Sequence, residues 1–153
     1  MWGGVESVPV RENLVLVPVN GSVVDARAVD VALLMARRYH AEVTAIHIVE
    51  VPQRLPLDTE MTAEIERGEQ VLQATERWAA QYGWNLNVEL LQARAAGPAI
   101  VDEAIGRKAR LIVLGTMLYR RAGEWTVGRS TVPYVLRNAP CEVVVCRHPL
   151  TGS

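Results

Sequence analysis

Apolar, β-branched runs alternate along this chain with segments whose apolar residues recur at helical spacing, and that alternation constrains the fold more than anything else. "NLVLVPV" (13–19), "EVTAIHIVEV" (42–51), "NLNVELLQA" (85–93), "ARLIVLG" (109–115) and "CEVVVC" (141–146) read as strands. Between the first two, Ala28, Val29, Ala32, Leu33 and Ala36 fall on one helical face. A charged helix is predicted from Thr62 to Tyr82, with Gly83 as its stop. Another helix starts near Pro98, which suits a first turn, and carries Ile100, Ala104 and Ile105 as its apolar stripe. The last helix is "STVPYVLRNA" (130–139). Near-continuous apolar character, as in 42–51, suits strands buried on both faces of a parallel sheet. Five strands alternating with four helices imply an α/β fold: an open twisted sheet of mainly parallel strands with helices on both faces. Ligands of such sheets bind beyond the carboxyl ends of the strands, where the strand order reverses. The candidate rim is therefore made by the loops at Val19–Ser22, Ile48–Gln53 and Gly115–Ser130.

A chain of 153 residues, 50% hydrophobic and 22% charged, fits one globular domain with a substantial core. Residues 1–12 read as a tail or linker, 13–148 as the domain and 149–153 as a C-terminal tail. A formal net charge of −1 gives no long-range attraction to nucleic acid, so any anion site is local. The apolar runs fall well short of the roughly 20 residues of a membrane helix, and "MWGGVESVPVREN" lacks the basic start and apolar middle of a signal peptide. Both point to the cytoplasm. Cys141 and Cys146 lie on opposite faces of one strand, roughly 16 Å apart at about 3.3 Å per residue, too far to bond. No metal pattern surrounds them.

"LVLVPVNGS", "IHIVEV", "AGPAIVDEA", "RLIVLGTM" and "GRSTVPYVLRNAPCEVVVC" resemble, in this order and spacing, the universal stress protein family over about residues 13–147. The resemblance implies sheet order 3-2-1-4-5, an adenine nucleotide alpha hydrolase-like fold. It also implies a cleft between the first and fourth strands for an adenine nucleotide: AMP, ATP or cyclic di-AMP, with magnesium only beside ATP. Many members bind ATP through Gly-x2-Gly-x9-Gly-Ser/Thr after the fourth strand; others lack the pattern and bind none.

Mapped onto that pattern, Gly115 matches the first glycine and Ser130 the serine, with Thr116 and Thr131 beside them. Leu118 stands at the second glycine, Arg129 at the last, and Gly128 is displaced one residue upstream. A leucine Cβ disfavours positive φ and crowds an approaching phosphate. The following helix still offers free N–H groups to an anion, and the Ser130 and Thr131 hydroxyls either join them or cap the helix. Arg120, Arg121 and Arg129 are either a solvated loop surface or forks for phosphate. Pro18, Val19 and Asn20 form the base side; Asn20 replaces the aspartate usual in ATP-binding relatives, and "NGS" also reads as an ordinary turn. Ile48 matches an adenine-lining position or is plain core, whereas His47 is expected in the sheet packing. Trp125 either stacks on a ligand or partner or covers an apolar edge.

No nucleophile, base and orienting group fall together in the sequence, so the expected role is regulatory or sensory rather than enzymatic. The other reading is a docking module without nucleotide, with family members also found attached to cytoplasmic ends of transporters and antiporters. A homodimer is expected through the last strand, Cys141 to Cys146, because a flat apolar sheet edge tends to be covered.

Overall fold

The computed structural model describes residues 13–127 and 130–149, with the main chain alone at 119–121 and 124–127. The element order is β1 (Leu14–Pro18), α1 (Asp25–Tyr39), β2 (Glu42–Glu50), α2 (Thr62–Ala80), β3 (Asn87–Ala93), α3 (Ala96–Arg107), β4 (Leu111–Thr116), β5 (Leu118–Arg121), β6 (Glu124–Val127), α4 (Thr131–Asn138) and β7 (Glu142–Arg147). Five strands form one sheet in the order β3-β2-β1-β4-β7, and every pairing in it is parallel. Counting along that sheet, with β7 as its fifth strand, gives the expected 3-2-1-4-5.

Side-chain alternation divides the interior into two layers. Val15 and Val17 of β1, with Val19 just beyond it, pack with Ala28, Val29 and Ala32 of α1 and Leu72 of α2. Leu14 and Leu16 pack with Ile100, Val101 and Ala104 of α3 and Val132 and Val135 of α4. Cys146 belongs to the first layer and Cys141 to the second, on opposite faces as their spacing requires. The order reverses between β1 and β4, which leaves a gap at their carboxyl ends.

Within Gly115–Ser130, read from sequence as one loop, residues 118–127 form a hairpin instead. β5 and β6 pair antiparallel in the register Leu118↔Val127 to Arg121↔Glu124, joined by two residues, Ala122 (φ 53°) and Gly123 (φ 82°). Positive φ at both turn positions matches the right-handed twist of the two strands, so the hairpin closes tightly. There are thus seven strands among the described residues, two of them in this hairpin. α2 ends at Ala80 rather than Tyr82, with Gly83 in the left-handed region just beyond it.

Candidate functional site

The gap between β1 and β4 is a cleft of about 270 Å³. Its floor is apolar, made by Ile46 and Ile48 of β2, Ile100 of α3, Leu114 of β4 and Val132 of α4. Pro18, Val19 and Asn20 form one wall as β1 runs out, and Gly115, Thr116 and Met117 form the opposite wall as β4 ends. Thr131 brings the first turn of α4 to the rim. That helix has no acidic residue in its first turn, so its free N–H groups present an uncompensated partial positive charge.

The β1–α1 turn is locally self-bonded. Asn20 Oδ1 accepts the Ser22 N–H at 3.0 Å, and Ser22 Oγ accepts the Val24 N–H at 3.2 Å, while Gly21 supplies a φ of 87°. The acceptor of the Asn20 side chain is therefore engaged in the turn, and the amide NH₂ is what it offers a ligand. His47 points the other way, toward α2. Its Nδ1 lies 2.8 Å from the Val19 carbonyl oxygen, and its ring fills the space that a Cβ on Gly68 would enter.

Seven residues singled out from the sequence converge on this cleft: Pro18, Val19, Asn20, Ile48, Gly115, Thr116 and Thr131. Ser130 immediately precedes α4; it is exposed and its hydroxyl forms no capping hydrogen bond, so of the two roles open to it the cap is not taken. The side chains of Arg120 and Trp125, and both Gly128 and Arg129, lie outside the described residues. Two carboxylates were missed. Glu50, the last residue of β2, lines the cleft and accepts the Ala96 N–H at 3.2 Å, which serves the start of α3 where Ala95 has no side chain to do so. Asp25 opens α1 and also lines the cleft. Burial raises its carboxyl above the ordinary aspartate value, against the opposing pull of the Gly21 and Asn20 N–H groups and of His47. The sequence marks only the places of these two carboxylates, the last residue of a strand and the first turn of a helix beside the β1 loop, and not the contacts they make.

The hairpin changes what the β4 side can do. β5 starts at Leu118, two residues beyond the end of β4, and its main chain pairs with β6. A glycine loop at this point would turn its N–H groups onto phosphate. Among the described residues on the β4 side, the start of α4 is the main-chain anion site that remains.

A five-stranded parallel sheet in this order, with helices on both faces and a cleft at the point of reversal, defines an α/β domain of the adenine nucleotide alpha hydrolase-like class. Residues 13–147 match the universal stress protein family, and the chain belongs to that family. It is 32% identical over 147 residues to a universal stress protein of Methanocaldococcus jannaschii, covering 90% of this chain and 85% of that protein. Among solved structures, the universal stress protein UspA from Lactobacillus plantarum aligns with a TM-score of 0.70 at 27% identity, covering 90% of this chain and 99% of the other. The universal stress protein from Archaeoglobus fulgidus in complex with dAMP aligns with a TM-score of 0.67 at 21% identity, covering 87% and 96%. No helix among the described residues is long and apolar enough to cross a membrane.

Proposed function

We propose that the cleft between β1 and β4 holds an adenine mononucleotide and that the domain acts as a cytoplasmic sensor or regulatory module rather than an enzyme. The observation that carries this reading is the convergence of Pro18, Val19, Asn20, Ile48, Gly115, Thr116 and Thr131 on one apolar-floored cleft at the sheet's point of reversal. The relative from Archaeoglobus fulgidus, solved with dAMP, supports the ligand class.

Size and rim chemistry narrow the choice. A cleft of about 270 Å³ suits one mononucleotide and is small for a cyclic dinucleotide. ATP, with its magnesium, is disfavoured because the hairpin stands where a triphosphate loop would turn. The base lies over the apolar floor, and the phosphate meets the first turn of α4 with Thr131. Affinity for AMP is expected to be micromolar or weaker. Isothermal titration calorimetry with AMP, ATP and cyclic di-AMP at low and high salt tests this. The expected order puts AMP tightest, with binding weakened by salt because the phosphate contact is charge-based. No heat with any of the three would contradict the nucleotide reading and favour the docking module, free-standing or attached to a transporter.

A homodimer joined through β7 is part of the same proposal. Among the described residues the outer edge of β7 has no partner strand, and Val143, Val144 and Val145 are only half-buried. Sedimentation equilibrium at tens of micromolar should give a dimer and Val144→Lys a monomer; a monomeric parent chain would contradict it.

A further inference from the structure

Asp25 opens α1, yet its carboxylate turns back onto the β1–α1 connection. Oδ2 accepts the Gly21 N–H at 2.7 Å and the Asn20 N–H at 3.2 Å, and Oδ1 lies 3.3 Å from the Asn20 nitrogen. The side chain lines the cleft on one side and, on the other, a groove of about 470 Å³ between α1 and α2. We infer that Asp25 is the positioning residue of the cleft: its ionised carboxylate holds the Asn20–Gly21 main chain in the shape that receives the ligand. The inference rests on the reading of the cleft as a nucleotide site.

The bonding pattern favours the charged form for this task. The main-chain groups that face the carboxylate are donors, and a protonated carboxyl would bring an O–H where an acceptor is needed. The Asn20–Ser22 and Ser22–Val24 hydrogen bonds close the turn locally, whereas Asp25 ties Asn20 and Gly21 to the first residue of α1. Three other charged or titratable groups bear on Asp25. His47 reaches it electrostatically from β2, Arg67 shares the groove from α2, and Glu50 shares the cleft from the end of β2. The ion pairs among the described residues are those of Arg107 with Glu89 and Glu103, so none neutralises Asp25.

Linkage gives this tie an unusual signature. Burial raises the folded-state value of the Asp25 carboxyl, so the folded chain holds that proton more tightly than the unfolded chain does. The stability contributed by this group is fully present below the unfolded value and is lost as pH rises through the folded one. At neutral pH the charge is thus carried at a cost to stability, which is a pattern of functional carboxylates in clefts. Removing it should leave the fold at least as stable while loosening the turn.

The test compares the parent chain with Asp25→Asn and Asp25→Ala. In amide spectra of the ligand-free protein, Asn20 and Gly21 should shift together with pH at one midpoint, above the ordinary aspartate value, in the parent and not in Asp25→Asn. By calorimetry, AMP should bind Asp25→Asn about fivefold or more weakly at pH 7, the loss of one charge-assisted contact, with a melting temperature unchanged or higher. The ratio of parent to variant affinity should fall toward one as pH drops through the folded-state value of Asp25, a comparison in which the titration of AMP's own phosphate cancels. Asp25→Ala should lose affinity as Asp25→Asn does, which covers a poorly folding amide variant. Parent-like affinity and pH profile in either folded variant would overturn the positioning role. A parent chain whose Asn20 and Gly21 amides titrate but which takes up no AMP at any pH would overturn the nucleotide reading, and the positioning role with it.

Discussion

Truncating Ile112 to alanine should lower the unfolding free energy by about 2–5 kcal/mol. Ile112 is fully buried in β4, between Leu16 of β1 and Val143 of β7 in the sheet register. Its side chain lies in the layer formed with Leu14, Leu16, Ile100 and Val135, where helices and sheet are both close. Close-packed interiors relax only partly around a deletion, so the lost transfer energy is joined by the cost of the cavity. Ile105, on the outer side of α3 and 55% exposed, should lose under about 0.5 kcal/mol on the same truncation. Chemical denaturation measures both. A loss below 1 kcal/mol at Ile112 would mean that β4 is not a buried inner strand of the sheet.

The second large effect is at a glycine. Gly68→Ala should destabilise the chain by about 1–3 kcal/mol, although alanine is the better helix former by about 1 kcal/mol. A Cβ on Gly68 would sit 2.6 Å from Cδ2 of His47 and 2.8 Å from Cδ1 of Leu90. The leucine tip can rotate away. The imidazole is held by its 2.8 Å contact with the Val19 carbonyl oxygen, so the strain passes into the chain just beyond β1, one residue before Asn20. Gly106, also helical, has no atom within 4 Å of an added Cβ, and Gly106→Ala should stabilise by up to about 1 kcal/mol. Opposite signs for two helical glycines in denaturant melts are the expected result; a stabilising Gly68→Ala would show that α2 does not approach β2 this closely.

The sheet was readable in the sequence because its signal is collective. Strands 14–18 and 111–116 are apolar on both faces, and helical spacing marks α1 and α3 between them, so errors of a residue or two at the ends did not alter the topology. Helix ends were harder. α1 and α3 stop at His40 and Lys108, both at φ 53°, where no glycine signals a left-handed residue. The hairpin was missed for a related reason. Its turn is Ala122-Gly123, and alanine at positive φ hides the Asn-Gly or Asp-Gly signature of a two-residue turn. The strand-like "LYRR" and "EWTV" also lie inside the stretch that resembles a glycine-rich phosphate loop.

The site was legible on its walls and not in its electrostatics. Asn20, Ile48, Gly115 and Thr131 sit at strand ends or a helix start, positions that the α/β topology brings together whatever their side chains. Asp25 and Glu50 entered only through folded geometry. Each acts on main-chain N–H groups, Asp25 on Asn20 and Gly21 and Glu50 on Ala96, and no spacing in the sequence encodes such a contact.

The central claim is that the carboxyl ends of β1 and β4 receive an adenine mononucleotide. Amide chemical-shift mapping of the isotopically labelled chain during titration with AMP tests it most directly. The largest shifts are expected at Asn20, Ile48, Gly115, Thr116 and Thr131, with the outer face of α1 unmoved. Saturable shifts confined to the groove between α1 and α2, which Arg67 and Trp78 of α2 line, or no shifts at millimolar AMP, would contradict it.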